Sequence, residues 1–185
     1  MNPVDKILDH FAMHGNSHFD EKDVTQLGHA LQCAHQAEHS GASAATITAC
    51  LLHDVGHLIN ADAREAIDRG EDAEHEIQAM NYLGQWFEED VLAPICWHVD
   101  AKRNLTATDA DYFTKLSKGS VRSLEVQRGP FSDTEVEHFE AHPHYQDAVQ
   151  FRRWDKDAKS PSALTPPLEH FQQYVEAAVK PQARR

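Results

Sequence analysis

Apolar residues recur at three- and four-residue steps through Ile7 to Met13, Val24 to Ala37, Ala44 to Ile59, Ile77 to Phe87 and Val91 to Val99. That spacing lines one face of an α-helix. Strict alternation of apolar and polar residues, the mark of a half-buried strand, is almost absent. Breakers separate the segments: HSGAS at 39–43, DRGED at 68–72, GP at 129–130, HP at 142–143 and SPSALTPP at 160–167. Further helices are predicted at 109–117, 120–127, 132–140, 145–154 and 167–179, the last amphipathic through Leu168, Phe171, Val175 and Val179. The fold class is therefore all-α. No internal repeat is present, and the Pro-rich run before the last helix is too short to be a linker between domains. A single helical domain over 1–185 is expected.

Composition narrows the function classes. With 185 residues, 41% of them apolar, the chain can bury one sizeable core and is short for two. A formal net charge of −13 argues against nucleic acid or an anionic membrane as partner, since both demand a basic surface. A small anion held in a local basic pocket remains compatible with it. No apolar run reaches the roughly eighteen residues of a membrane span, and MNPVDKILDHFAMHG lacks the pattern of a secretory signal. A cytoplasmic location is expected. Cys33, Cys50 and Cys96 sit in apolar helical patterns and read as reduced core residues.

The excess of histidine, 14 residues, needs a reason. His35, His39, His138, His142, His144 and His170 fall in polar or loop-like stretches and are expected at the surface. His29, His75 and His98 lie among apolar residues; each alone is more often a core histidine satisfied by a carbonyl than a ligand. The stretch TACLLHDVGHLI at 48–59 is more telling, because it sets His53 and Asp54 side by side in an apolar run. Burying that carboxylate costs several kcal/mol unless a cation offsets it. Neighbouring residues on a continuous helix point about 100° apart, so both converge on one site only if it lies between their directions. Four histidines and an aspartate from several helices are how helical bundles build metal sites.

His29, the His53-Asp54 pair, His75, His98 and a later Asp155 resemble the HD-domain metalloproteins, helical proteins that include phosphohydrolases and a smaller set of di-iron oxygenases. QLGHALQCA at 26–34, HVDAKRNL at 98–105, LSKGSVRSLEVQRGP at 116–130 and RRWDKDAK at 152–159 are similar to the mixed-valent di-iron oxygenases that cleave the carbon–phosphorus bond of 1-hydroxyalkylphosphonates. The likeness runs from about Gln26 to Lys159. It implies two iron ions (Fe2+/Fe3+) bridged by Asp54, one taking His29, His53 and Asp155, the other His75 and His98. It further implies Lys102, Arg152 and Ser120 as phosphonate anchors and His57 as a residue contacting the substrate or supporting a ligand. O2 would be the co-substrate, and phosphate and a carboxylic acid the products.

On residue chemistry alone, Asp155 is a surface ion-pair partner, Lys102 an exposed lysine near a helix end, Ser120 an N-cap and His57 a packed helix histidine. An HD-type phosphohydrolase of a small phosphate ester is the alternative reading. The pattern also departs from relatives that act on a 2-amino substrate. Phe19 and Lys22 stand where those carry an iron-ligating tyrosine and an ammonium-binding glutamate. A phenyl ring cannot ligate iron, and Lys22 repels an ammonium, so a trimethylammonium group or no amine at all is open.

Overall fold

The computed structural model describes residues 3–19, 24–60, 66 and 69–181, with only the backbone at 3, 18 and 19. Lys22 therefore lies outside the described residues, as does the side chain of Phe19. The chain runs α1 (Pro3–His14), β1 (His18–Phe19), β2 (Val24–Thr25), α2 (Gln26–His39), α3 (Ala44–Leu52) and α4 (Val55–Ile59). It continues through α5 (His75–Leu83), α6 (Glu89–Thr108), α7 (Ala110–Thr114), α8 (Lys118–Val126), α9 (Asp133–Glu140), α10 (Tyr145–Asp157) and α11 (Leu168–Ala178). The all-α expectation holds. Among the described residues it departs in a two-residue antiparallel ladder, His18 opposite Thr25 and Phe19 opposite Val24, where a helix from Val24 was predicted, and in an isolated bridge between Phe87 and Val179.

That ladder fixes the start of α2. A helix opens with N–H groups that have no partner within it. Here Gln26 donates to the Ser17 carbonyl at 2.9 Å, Leu27 to Gly15 at 2.8 Å and Gly28 to the Thr25 hydroxyl at 2.9 Å. His29 follows at once, so its position is set by a fully satisfied N-terminus.

Helix α6 is the axis of the fold, packing against α3, α5 and α10, while α3 also meets α2 and α11. Leu51, Leu52, Phe87, Ile95, Phe151 and Phe171 form a fully buried core between them. The prediction for α6 stopped at Val99, whereas the helix continues to Thr108 and carries Pro94 within it. Proline removes one intrahelical donor. The carbonyl it leaves belongs to Asp90, which is exposed and can be hydrated.

The helix predicted over Ala44 to Ile59 is two. Helix α3 ends at Leu52, and Asp54 adopts φ −92°, ψ 9° before α4 begins at Val55. This is the sparsely populated bridge region between helix and extended backbone. The break releases Asp54 from the 100° offset of a regular helix and lets its carboxylate turn toward the same centre as His53.

Helices α4 and α5 then approach very closely. A Cβ on Gly56 would lie 2.0 Å from the His75 carbonyl oxygen and 2.8 Å from its carbon, both backbone atoms that cannot swing aside. Gly56→Ala is therefore expected to lower the unfolding free energy by about 1–3 kcal/mol, the usual cost of overpacking. An unchanged urea midpoint would contradict this contact.

Candidate metal centre

Six side chains from five elements converge in the interior. His29 comes from α2, His53 and Asp54 from the α3–α4 break, His75 from the first position of α5, His98 from the middle of α6 and Asp155 from the end of α10. All six are buried, His29 and His53 completely. They form two sets whose donor atoms lie within 4.8 Å of one another: His29, His53 and Asp155 in one, Asp54, His75 and His98 in the other.

In the first set, His29 Nε2 is 3.2 Å from His53 Nε2 and 3.1 Å from Asp155 Oδ1. In the second, His75 Nε2 and His98 Nε2 are 3.0 Å apart. Asp54 lies between the sets. Its Oδ1 is 3.4 Å from His53 Nε2 and 3.5 Å from His75 Nε2, and its Oδ2 is 3.6 Å from His29 Nε2. Donors held about 2.1 Å from one ion sit roughly 3.0 to 3.4 Å from each other, so these separations suit coordination.

Tautomers sharpen the fit. His29 Nδ1 is bonded to the Ala158 carbonyl at 2.8 Å, His53 Nδ1 to Cys50 at 2.9 Å and His98 Nδ1 to Ile95 at 2.6 Å. A carbonyl only accepts, so each Nδ1 carries the hydrogen and each neutral ring turns its Nε2 lone pair inward. Two lone pairs facing at 3.2 Å repel unless a cation lies between them. This is how metal-binding histidines are commonly oriented. His75 Nδ1 instead sits 3.3 Å from Glu76 Oε2, a carboxyl that burial raises to about 7.

The protonation states agree. Burial, reinforced by His53, lowers His98 to about 3, and burial with His57 and His98 lowers His75 well below the ordinary imidazole value. Both rings are neutral at pH 7 and free to donate electron pairs. Burial pushes Asp54 toward the acid, but His53, His57, His75 and His29 outweigh it and keep the carboxyl low. For Asp155 burial is likewise overcome, chiefly by Arg152.

A buried basic cradle adjoins the centre. Lys102, one turn beyond His98, donates to Ser123 Oγ at 2.8 Å. Arg152 pairs with Asp155 Oδ2 through Nη1, while its Nε has no acceptor among the described residues. Lys159 donates to Ser120 Oγ at 2.9 Å and approaches Ser117 Oγ at 3.4 Å. Lys102, Arg152, Lys159 and Ser120 are all buried. Burial, with Arg152 close by, lowers Lys102 from 10.5 to about 7, against the pull of Asp155.

Each predicted site residue can now be located. The six expected metal ligands meet, and Lys102, Arg152 and Ser120 are buried beside them rather than exposed. Ser120 is not an N-cap; Ser117 holds that place in α8 and accepts the Ser120 N–H. His57 stacks on His75 with ring centroids 4.2 Å apart and planes within 15°, so it packs against a candidate ligand. Lys159 was missed. It ends the polar run RRWDKDAK, where only its burial marks it out.

The HD domain family pattern matches residues 27–128, more than half of the chain and enough to include five of the six converging residues. Three relatives extend the match beyond α8. Hydroxymethylphosphonate dioxygenase of Gimesia maris is 43% identical over 168 residues, covering 90% of this chain and 83% of the relative. The chain belongs to the HD-domain family of hydroxyphosphonate dioxygenases. A second relative in this family, [1-hydroxy-2-(trimethylamino)ethyl]phosphonate dioxygenase (glycine-betaine-forming) of Leisingera caerulea, is 34% identical over 178 residues, 96% of this chain and 91% of its own. Uncharacterized protein L432 of Acanthamoeba polyphaga mimivirus is 32% identical over 171 residues, covering 91% and 78%. An HD-domain chain with these clusters has a metal-binding centre. Among the described residues no helix is long and apolar enough to cross a membrane.

Sulfate keeps its double charge from about pH 5 to about pH 10, so any change in its binding over that range comes from the protein. As pH rises through about 7, Lys102 loses its proton and sulfate affinity is expected to fall, by up to about tenfold per pH unit. In Lys102→Met that slope disappears; a slope unchanged by the substitution would show that another group governs binding.

Proposed function

We propose that the protein is a di-iron oxygenase that uses O2 to cleave the carbon–phosphorus bond of a 1-hydroxyalkylphosphonate, releasing phosphate and a carboxylic acid. The observation that carries this reading is the buried basic cradle of Lys102, Arg152 and Lys159 directly against the two His/carboxylate sets, joined to them by the Arg152–Asp155 pair. Lys102, Arg152 and Lys159 bring three buried basic side chains to one place, which favours an anion, and a phosphonate dianion supplies the charge.

His29, His53 and Asp155 would hold one iron and His75 and His98 the other, with the Asp54 carboxylate shared between them. The iron pair would supply oxygen binding and electron transfer that no side chain can provide. The reaction balances without another reductant: R–CH(OH)–PO3(2−) and O2 carry the same atoms as the carboxylic acid and phosphate, and all four electrons come from the C–H and C–P bonds. The chain's own work is positional. Arg152 and Lys159 grip phosphonate oxygens, Lys102 adds a point charge whose proton is stabilised once the dianion arrives, and Ser120 offers a hydroxyl. Burial keeps water from competing for these contacts.

Both named relatives are called dioxygenases, which supports oxygenation over the phosphohydrolase reading. Hydroxymethylphosphonate is the first substrate to try, because the more similar of them carries its name. Lys159 distinguishes anchoring from metal binding: its bonds to α8 go to serine hydroxyls, and it lies outside both metal-type sets.

Anaerobically prepared, iron-loaded protein is expected to consume one O2 per phosphate released from hydroxymethylphosphonate or its trimethylaminoethyl analogue. Hydrolysis of phosphate esters with no oxygen uptake would refute the reading. Asp155→Ala should lower the iron bound per chain, and full iron content would remove Asp155 from the ligand set. Lys159→Met should raise KM by about tenfold or more while iron content holds, roughly the value of a charge-assisted hydrogen bond; loss of iron with an unchanged KM would instead make Lys159 structural.

A further inference from the structure

Helix α2 carries His29 near its start and a second cluster at its other end, about 15 Å further along the helix axis. The sequence there is HQAEH, residues 35–39. Positions i, i+3 and i+4 share one helical face, so His35, Glu38 and His39 stand together. One donor atom from each lies within 4.8 Å of the other two, and the rings of His35 and His39 are 4.3 Å apart at 75°. Ala37 and Gln36, on the other side of the helix, face inward: Ala37 is fully buried and Gln36 donates to the Trp154 carbonyl.

A second element closes the cluster. From α11, His170 Nε2 lies 2.6 Å from Glu38 Oε1, and the Tyr174 hydroxyl donates to the same oxygen at 2.6 Å. Glu38 Oε2 is 3.4 Å from His35 Nδ1. Burial opposes the charge of Glu38, but the bonds from Tyr174, His170 and His35 outweigh it and hold the carboxyl low. The result is an ionised carboxylate among three imidazoles, partly open to solvent, on a chain whose net charge of −13 favours cations.

We propose that His35, Glu38 and His39 form a second metal site that binds one divalent transition ion of the zinc type, with His170 supporting the Glu38 carboxylate from α11. The donor set selects the ion. Calcium and magnesium want oxygen ligands throughout, whereas imidazoles with a single carboxylate suit zinc and its neighbours. Glu38 Oε2 together with His35 and His39 supplies three donors from one helix, while His170 and Tyr174 of α11 hold the other carboxylate oxygen. A bound ion is therefore coupled to α11 through the Glu38 carboxylate. Hydrogen bonds alone leave the position crowded: Oε1 already accepts from two donors, and His39 joins the group through its contact with the His35 ring.

The test is zinc titration of the iron-loaded, full-length protein by calorimetry, with iron and zinc both counted by mass spectrometry after dialysis. The expected result is one zinc per chain added with no iron released, a raised thermal midpoint and an unaltered turnover rate. His39→Ala, at an exposed position, should weaken this binding at least about tenfold with iron content and turnover retained. His35→Ala should do the same. Absence of the added zinc, its appearance only in exchange for iron, or its persistence in the His35→Ala/His39→Ala double variant would each overturn the site.

Discussion

Everything in this fold answers to four imidazole lone pairs and two carboxylates pointed at one another in a space sealed from water. Arranged without a cation, such groups repel. The chain nevertheless invests its most constrained backbone in holding them there: the break at Asp54, the close approach of Gly56 to His75, and the satisfied N-terminus that sets His29. Carbonyls that fix the Nδ1 hydrogens complete the arrangement, because at the His29–His53 pair they leave no neutral tautomer in which the inward nitrogens could bond to each other.

The same interior solves a second electrostatic problem in the opposite sense. Asp155 is acidic toward His29 and tied to Arg152 on its other oxygen, so one carboxylate links a region that attracts cations to a region that attracts anions. Lys102 gives up some of its basicity in the free state, a cost that an arriving dianion removes. On the proposed reading, ligand and cradle charge would be matched only with the ligand in place, favouring a doubly charged phosphonate over a neutral or singly charged analogue.

Helical periodicity made the architecture legible, and apolar surroundings identified His29, His75 and His98 as interior. What could not be read was where regular geometry fails. Nothing in TACLLHDVGHLI signals that α3 stops at Leu52, since the apolar spacing runs straight through the break and only a tertiary demand on Asp54 imposes it. Asp155 looked solvated because it sits in RRWDKDAK. Yet Ala148, Phe151, Arg152 and Asp155 recur at i, i+3, i+4 and i+7, a buried stripe of α10 in which two charged residues replace apolar ones. Reading charged residues as members of a helical face would have found them. Lys159 follows that helix, in irregular backbone, and periodicity has no purchase there.

The partners of the Nδ1 atoms differ in chain distance. His53 and His98 each lean on a carbonyl three residues earlier in their own segment, so their rings are aimed as soon as the local turn forms. His29 leans on Ala158, 129 residues away, and Gln32 on the same helix exchanges two hydrogen bonds with Ser160. Closing a loop of that length must precede any benefit from the contact. The centre is thus half local and half global: some of its geometry is inherited from secondary structure, and the rest exists only once α2 has met the segment that follows α10. Correct orientation of the His29 ring is in effect a certificate that everything between those two segments has come together.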